Sequence, residues 1–341
     1  MKRFLVTCDP GLEDIAEEEI RKKLKAKVKR FFNFQGKLLV DLKSSKKLFA
    51  LHSLHHIIEL KKTFFLRKKT LDELYEKIKR TNIDELEKAD SFRVTSKRFG
   101  QHSFTSIQIQ NICGKALQEK YKKKVDLKNF DVNIRIDVVG NLCFVGIQHT
   151  RESLYKRFKK SFNHPAAIKS TIAYGMLCLA GIKKGNTLLD PMCGSGTIPL
   201  EAASLFKDKI RIVAGDINKE YVKGAEENAK LNGLEKFIEF KMIDATKLEK
   251  YFEKAEKVDR IVTNPPYGIK IGKRKNLRKL YRNFLVSASK ILSDSGRMVV
   301  INLRAEMFRI AVIRTKLFKV IHERVVESGG LYPHIFVLEK I

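Results

Sequence analysis

Acidic residues are in short supply. Asp and Glu number 39 against 69 Lys and Arg, a formal charge of +30 over 341 residues. A lysine-rich surface evolved for heat resistance gains glutamate along with lysine, and here the acids lag. The imbalance favours a phosphate-bearing partner, and both halves of the chain share it. Cysteine is sparse too: Cys8, Cys113, Cys143, Cys178 and Cys193 are odd in number and lack C-x-x-C spacing. That excludes a disulfide frame and a zinc site, and predicts reduced thiols in a cytoplasmic protein. Long apolar runs are missing, since Ile172 to Ile182 falls far short of the ~20 residues a membrane helix needs. No charged-then-apolar leader opens the chain, so no membrane partner is expected. His52, His55 and His56 have no accompanying Cys or carboxylate set, and no metal is expected.

Two nucleotide-binding signatures are also incomplete. The turn Gly194-Ser-Gly196 lacks the third glycine of G-x-G-x-x-G, and a P-loop would need Gly-Lys-Ser/Thr. Dinucleotide-dependent hydride transfer and P-loop phosphoryl transfer are thereby disfavoured.

The pattern of apolar residues and breakers divides the chain. From Lys2 to Leu60 it reads strand, helix (Leu12 to Leu24), strand (Val28 to Phe34), strand (Lys37 to Leu42) and a helix over Lys46 to Glu59, a ferredoxin-like alternation. Residues 61–150 add a helix (Leu71 to Lys79), a basic strand (Ser91 to Ser96), a long helix (Thr105 to Tyr121) and two strands. A basic connection, residues 151–165, ends at His164-Pro165, a break before a helix over Ala166 to Ala180. Beyond it strands and helices alternate, as in an open, mostly parallel sheet covered on both faces. Ligands of such a sheet belong at the carboxyl ends of its strands.

Three acids and an amide fall at such ends. Asp190-Pro-Met-Cys-Gly-Ser-Gly-Thr197 is a strand, a glycine turn and a helix start. Asp216 ends the next strand, where a carboxylate can grip both hydroxyls of a ribose. Asp244 ends the third and, with Ala245, can read an adenine amino group, while Ile217 covers the ring face. Asn264-Pro-Pro-Tyr267 follows the fourth strand. An exocyclic amine is a poor nucleophile, because its lone pair is delocalised into the ring. Two acceptors aimed at its N–H groups, the Asn264 side-chain oxygen and the Pro265 carbonyl, draw it toward tetrahedral geometry. Pro265 and Pro266 stiffen the loop, and Tyr267 can stack on a flipped base. Cys193 lies in the glycine turn, away from the Asn-Pro-Pro-Tyr loop, so a thiolate mechanism is not expected.

Asp190-Pro-Met-Cys-Gly-Ser-Gly-Thr-Ile-Pro-Leu-Glu-Ala-Ala203 together with Asn264-Pro-Pro-Tyr-Gly268 resembles the THUMP-domain RNA guanine-N2 methyltransferases. Phe92-Arg-Val-Thr-Ser-Lys-Arg98, Phe104-Thr-Ser106 and Lys124-Val-Asp-Leu127 resemble a THUMP domain, and Thr7-Cys-Asp-Pro-Gly-Leu-Glu13 resembles the ferredoxin-like module before it. The resemblance covers nearly the whole chain. It implies an α/β architecture: a ferredoxin-like domain over residues 1–65, a THUMP domain over 66–150, and a Rossmann-like methyltransferase domain over 166–341. It implies S-adenosylmethionine as cofactor, held by Asp190, Cys193, Gly194, Ser195, Gly196, Thr197, Asp216, Ile217, Asp244, Ala245 and Asn264. Asn264, Pro265 and Tyr267 would be catalytic.

The implied substrate is a tRNA guanosine, at position 6 of the acceptor stem, methylated at N2 by a monomeric enzyme. A 23S ribosomal RNA methyltransferase and a non-catalytic RNA-binding protein are the alternatives. Asn-Pro-Pro-Tyr also serves enzymes acting on adenine N6 and on glutamine, so guanine rests on the resemblance. For RNA, Arg93, Lys97, Arg98, His102 and Ser103 are the candidates on the first half. Lys273, Arg274 and Lys275 are those just after the catalytic loop, where basic residues continue through Arg278, Lys279 and Arg282.

Overall fold

The computed structural model describes residues 1–31, 35–253, 256–268 and 274–341, with the backbone alone for 274–276. The chain forms two compact units. One comprises residues 1–8 and 16–154, the other residues 9–15 and 155–341. The main part of the second unit therefore begins at Tyr155, ahead of the His164-Pro165 break, and the unit borrows a short stretch from near the start of the chain.

In the first unit β1 (Lys2–Thr7), β2 (Val28–Arg30), β3 (Lys37–Leu42), β4 (His56–Phe65), β5 (Ser91–Phe99), β6 (Lys124–Val125), β7 (Val132–Val139) and β8 (Leu142–Gln148) make one sheet, ordered β2-β3-β1-β4-β8-β7-β5-β6. The helices are α1 (Glu13–Leu24), α2 (Leu71–Lys79), α3 (Asp84–Lys88) and α4 (Ser106–Tyr121). Side-chain alternation along β5 and β7 explains the layering. Phe92, Val94, Ile134, Ile136 and Val138 point one way, into a core with Leu74 and Ile78 of α2 and Ile109, Cys113 and Leu117 of α4. Arg93, Thr95 and Lys97 point the other way, in register with Asn133, Arg135 and Asp137.

The helix expected over Lys46 to Glu59 is not there. Lys46–Ala50 forms one 3-10 turn, and β4 begins at His56 and runs to Phe65, so His56 lies on a strand. The apolar spacing misled because Leu48, Leu51 and Leu54 are buried, as a helix would bury them, but they line a turn and a connection instead. Ile57 and Ile58, adjacent and both buried, belong to a strand enclosed on its two faces. The strand read as Val28 to Phe34 is regular only over Val28–Arg30, and its last three residues lie outside the described residues.

The second unit has the expected sheet, ordered β11-β10-β9-β12-β13-β15-β14. Its strands are β9 (Thr187–Asp190), β10 (Arg211–Asp216), β11 (Glu239–Met242), β12 (Val258–Thr263), β13 (Leu292–Asn302), β14 (Phe318–Val325) and β15 (His334–Lys340). The first five are parallel; β15 runs antiparallel to β13 and to β14. Its helices are α5 (Ser170–Ala180), α6 (Thr197–Phe206), α7 (Lys219–Leu231), α8 (Arg274–Ile291) and α9 (Ala305–Thr315). Leu188, Val262, Val299, Ile301 and Val337 face α5, α6 and α7. Their strand neighbours Leu189, Ile261, Met298, Val300 and Leu338 face α8 and α9. Both faces are buried, which is why these strands read as continuous apolar runs. The helix expected from Ala166 starts at Ser170, four residues later.

Candidate active site

The strand order β11-β10-β9-β12 sets Asp244, Asp216, Asp190 and Asn264 side by side across the carboxyl edge of the sheet. They line one cavity of about 550 Å³, within the range of small-molecule sites. Cys193, Gly194, Ser195, Thr197, Ile217, Ala245, Pro266 and Tyr267 line it too; Gly196 and Pro265 do not.

The glycines have distinct reasons. Gly194 has φ +53 and Gly196 φ +78, and Gly196 ends the turn as the cap of α6. A Cβ on Gly196 would sit 3.1 Å from that of Ala225 on α7, so this glycine lets two helices approach rather than meeting a ligand.

Each acid is tied down by part of its hydrogen-bonding capacity. Asp190, fully buried, accepts from Thr263 Oγ1 at 2.7 Å, and burial pushes its pKa up to about 7. Asp216 accepts from Gly194 N at 3.1 Å and Asn218 N at 3.0 Å; burial raises its pKa as well. Burial also works against the charge of Asp244, but bonds from Thr246 N and Oγ1 hold its pKa below the usual carboxylate range. Burial, reinforced by Asp190 and Asp216, pushes the Cys193 thiol far up, which removes it as a nucleophile at neutral pH. Ile217 is 68% exposed, an open apolar surface beside Asp216.

Asn264 is fixed from two sides. Its Nδ2 donates to the Ala166 carbonyl at 2.9 Å, and its Oδ1 accepts from the Tyr267 hydroxyl. Tyr281 donates to the Pro266 carbonyl at 2.8 Å, whereas no donor among the described residues meets the Pro265 carbonyl. Asn264 Oδ1 retains a lone pair, so the loop offers two acceptors from adjacent residues.

Sequence reasoning missed one wall of this cavity. His164, Pro165, Ala166, Ala167 and Ile168, read as a break and a helix start, line it, as do Tyr221 and, from the β14–β15 connection, Ser328, Leu331 and Pro333. Asn228 of α7 clamps the approach to that wall, accepting from Ser161 N and Phe162 N and donating to the Phe162 and Ser195 carbonyls. An Asn in helical phase with Gly224 and Ala225, where the helix turns its small apolar residues inward, was the available signal.

The basic residues of the first unit are placed differently from one another. Arg93 stacks on Phe130 at 3.9 Å, with Arg151 5.7 Å from the same ring. Arg98 donates to the Gly100 carbonyl and, by alternation, projects opposite to Arg93 and Lys97. His102 bridges the carbonyls of Gly100 and Gly140, and Ser103 is exposed. The start of α4 is closed by a capping box between Thr105 and Gln108, so part of the N–H set expected there for a phosphate is already used. Lys273 lies outside the described residues, as do the side chains of Arg274 and Lys275. Among the described residues no group of three His, Cys, Asp or Glu could hold a metal, and no helix is long and apolar enough to cross a membrane.

A glycine turn, three strand-end acids and an Asn-Pro-Pro-Tyr loop on one parallel sheet define a methyltransferase that takes its methyl group from S-adenosylmethionine. Residues 157–334 match the RMKL-like methyltransferase domain family, and residues 68–148 match the THUMP domain. The chain is 35% identical to the tRNA (guanine(6)-N2)-methyltransferase of Thermus thermophilus, over 98% of each chain. It is 35% identical to that of Methanocaldococcus jannaschii, over 98% of this chain and 99% of the relative. The crystal structure of TrmN from Thermus thermophilus superimposes over the full length of both chains, with a TM-score of 0.86 and 34% identity. The chain thus belongs to the THUMP-domain RNA guanine-N2 methyltransferases, as its motifs led one to expect.

Proposed function

We propose that this enzyme methylates N2 of the guanosine at position 6 of tRNA. The observation that carries the chemistry is the Asn264 amide, oriented by Ala166 with its oxygen as acceptor, at the strand end next to the three acids. The choice of RNA and nucleotide is supported by the two full-length relatives named for that reaction.

The cavity fits S-adenosylmethionine, which when bound supplies an electrophilic methyl group. Asp216 keeps acceptor capacity beyond its two backbone bonds and would hold the ribose hydroxyls. Asp244 and Ala245 would read the adenine, with Ile217 against its face; Asp190 and the 193–197 turn would hold the amino-acid end. Asn264 Oδ1 and the Pro265 carbonyl would accept from the guanine amine and increase its nucleophilicity, with Tyr267 stacked on the base. Alkylation acidifies the remaining proton, so water suffices to remove it. Arg93, Lys97, Arg98, His102, Ser103, Lys273, Arg274 and Lys275 are proposed as RNA contacts. A cytoplasmic enzyme is the reading that goes with a tRNA substrate.

The test is transfer of labelled methyl groups to tRNA transcripts, read by nucleoside mass spectrometry. Expected is N2-methylguanosine in a transcript with G6 and none when that base is changed to A. Transfer to ribosomal RNA instead would overturn the substrate, and RNA binding without transfer would favour a binding-only protein.

A further inference from the structure

Residues 155–168 belong to the second unit and bring a second cation-bearing stretch to the start of α6. Lys160 Nζ donates to Thr197 Oγ1 at 2.7 Å and lies 3.5 Å from Ser195 Oγ. Both hydroxyl residues are buried and line the cavity. The neighbouring cation, Arg157, is paired at 2.9 Å with Glu201, one turn further along α6. Among the described residues no carboxylate pairs with Lys160.

That placement is electrostatically adverse. The first turn of α6 presents unpaired N–H groups and the positive end of the helix dipole, which favours anions and repels an ammonium. Burial compounds this, lowering the pKa of Lys160 to about 8. The titratable groups that line the pocket are His164, Asp190, Cys193, Asp216, Tyr221, Asp244 and Tyr267. An ammonium has no acceptor. The Thr197 oxygen therefore accepts from it, which turns the hydroxyl proton away from Lys160 and leaves it free to donate. A cation, oriented hydroxyls and helix N–H groups converging beside a ligand cavity form most of an anion site, and the methyl donor has one anionic group, the carboxylate of its amino-acid end.

The geometry points to Lys160 as a positioning residue for that carboxylate, acting through Thr197 and Ser195. The inference rests on the cofactor reading above.

The test is calorimetric binding of two ligands, S-adenosylhomocysteine and S-adenosyl-3-thiopropylamine, which lacks only the carboxylate. Wild type is expected to prefer the carboxylated ligand by about tenfold. The preference should shrink as pH rises from 7 to 9, because Lys160 loses its charge across that interval. In Lys160→Met the preference should vanish at every pH, with affinity for the amine unchanged. In Lys160→Arg it should persist, and the smaller pH dependence left there is that of Asp190, which gains its charge near pH 7. Should Lys160→Met not fold, the pH profiles of wild type and Lys160→Arg decide. A preference kept in Lys160→Met, an equal loss for both ligands, or identical pH profiles for wild type and Lys160→Arg would overturn the role. If wild type binds neither ligand, the cofactor reading itself fails.

Discussion

The carbonyl of Ala166 accepts from Asn264 Nδ2 at 2.9 Å, so a backbone group upstream of α5 decides which way the Asn264 amide faces. Asp at this position would keep the acceptor but set a carboxylate oxygen against that carbonyl.

Asn264→Ala should lower methyl transfer by about 10²–10³-fold, the scale of losing one oriented polar group at a reaction centre. Asn264→Asp should also be impaired, through lost orientation. Both should bind S-adenosylhomocysteine much as wild type does, measured by calorimetry alongside single-turnover transfer. A large drop in affinity would move Asn264 from catalysis to cofactor binding.

Asp190 makes stability depend on pH. Its pKa rises from 3.8 to about 7 on folding, so the folded chain holds this proton more tightly than the unfolded chain. Its contribution is complete below pH 3.8 and is lost as pH rises toward 7. Asp190→Asn removes the buried charge. Its melting temperature should exceed that of wild type at pH 8, with the gap closing toward pH 4; a gap that does not change with pH would contradict this account.

Gly224 has no room for a side chain: a Cβ there would lie 2.3 Å from Cγ of Phe162. Gly224→Ala should cost about 1–3 kcal/mol by overpacking, read by denaturant titration. Phe162 precedes the His164–Ile168 wall, so cofactor affinity should fall as well. Adding Phe162→Ala should recover part of both losses if the clash is the cause.

Asp137 is fully buried between Lys37 Nζ at 2.6 Å and Arg135 Nε at 2.5 Å. Burial opposes its charge, but the two cations hold its pKa far below the usual range. Asp137→Ala would strand both cations and should destabilise the first unit by about 3–5 kcal/mol, measured by chemical denaturation. A near-wild-type midpoint would show that solvent reaches the cluster.

The second unit was legible because its rules are local. Continuous apolar strands, helix periods and polar residues at strand ends each announce themselves within a dozen residues. Asp190, Asp216, Asp244 and Asn264 could be placed in this way before their geometry was known. The first unit was harder. Leu48, Leu51 and Leu54 have helical spacing, yet their burial is decided by packing in three dimensions, and a single sequence does not display that. His164 and Ala166 were misjudged for a related reason. A proline break describes how the chain bends but not what the bent segment covers, and Ala166 acts through its carbonyl, which every residue has.

Asp9 accepts from Lys169 Nζ at 2.8 Å and from the Thr171 hydroxyl, which ties the start of the chain into the unit that carries the cavity. A fragment starting at the break before α5 would lack that acid and leave Lys169 and Thr171 without it. The methyltransferase unit is therefore not a cassette that could be moved whole between proteins by a single cut. Gene fusion or domain swapping at that break would deliver an incomplete fold, and a nascent chain must hold its ninth residue in reserve until residues more than a hundred and fifty positions later have left the ribosome.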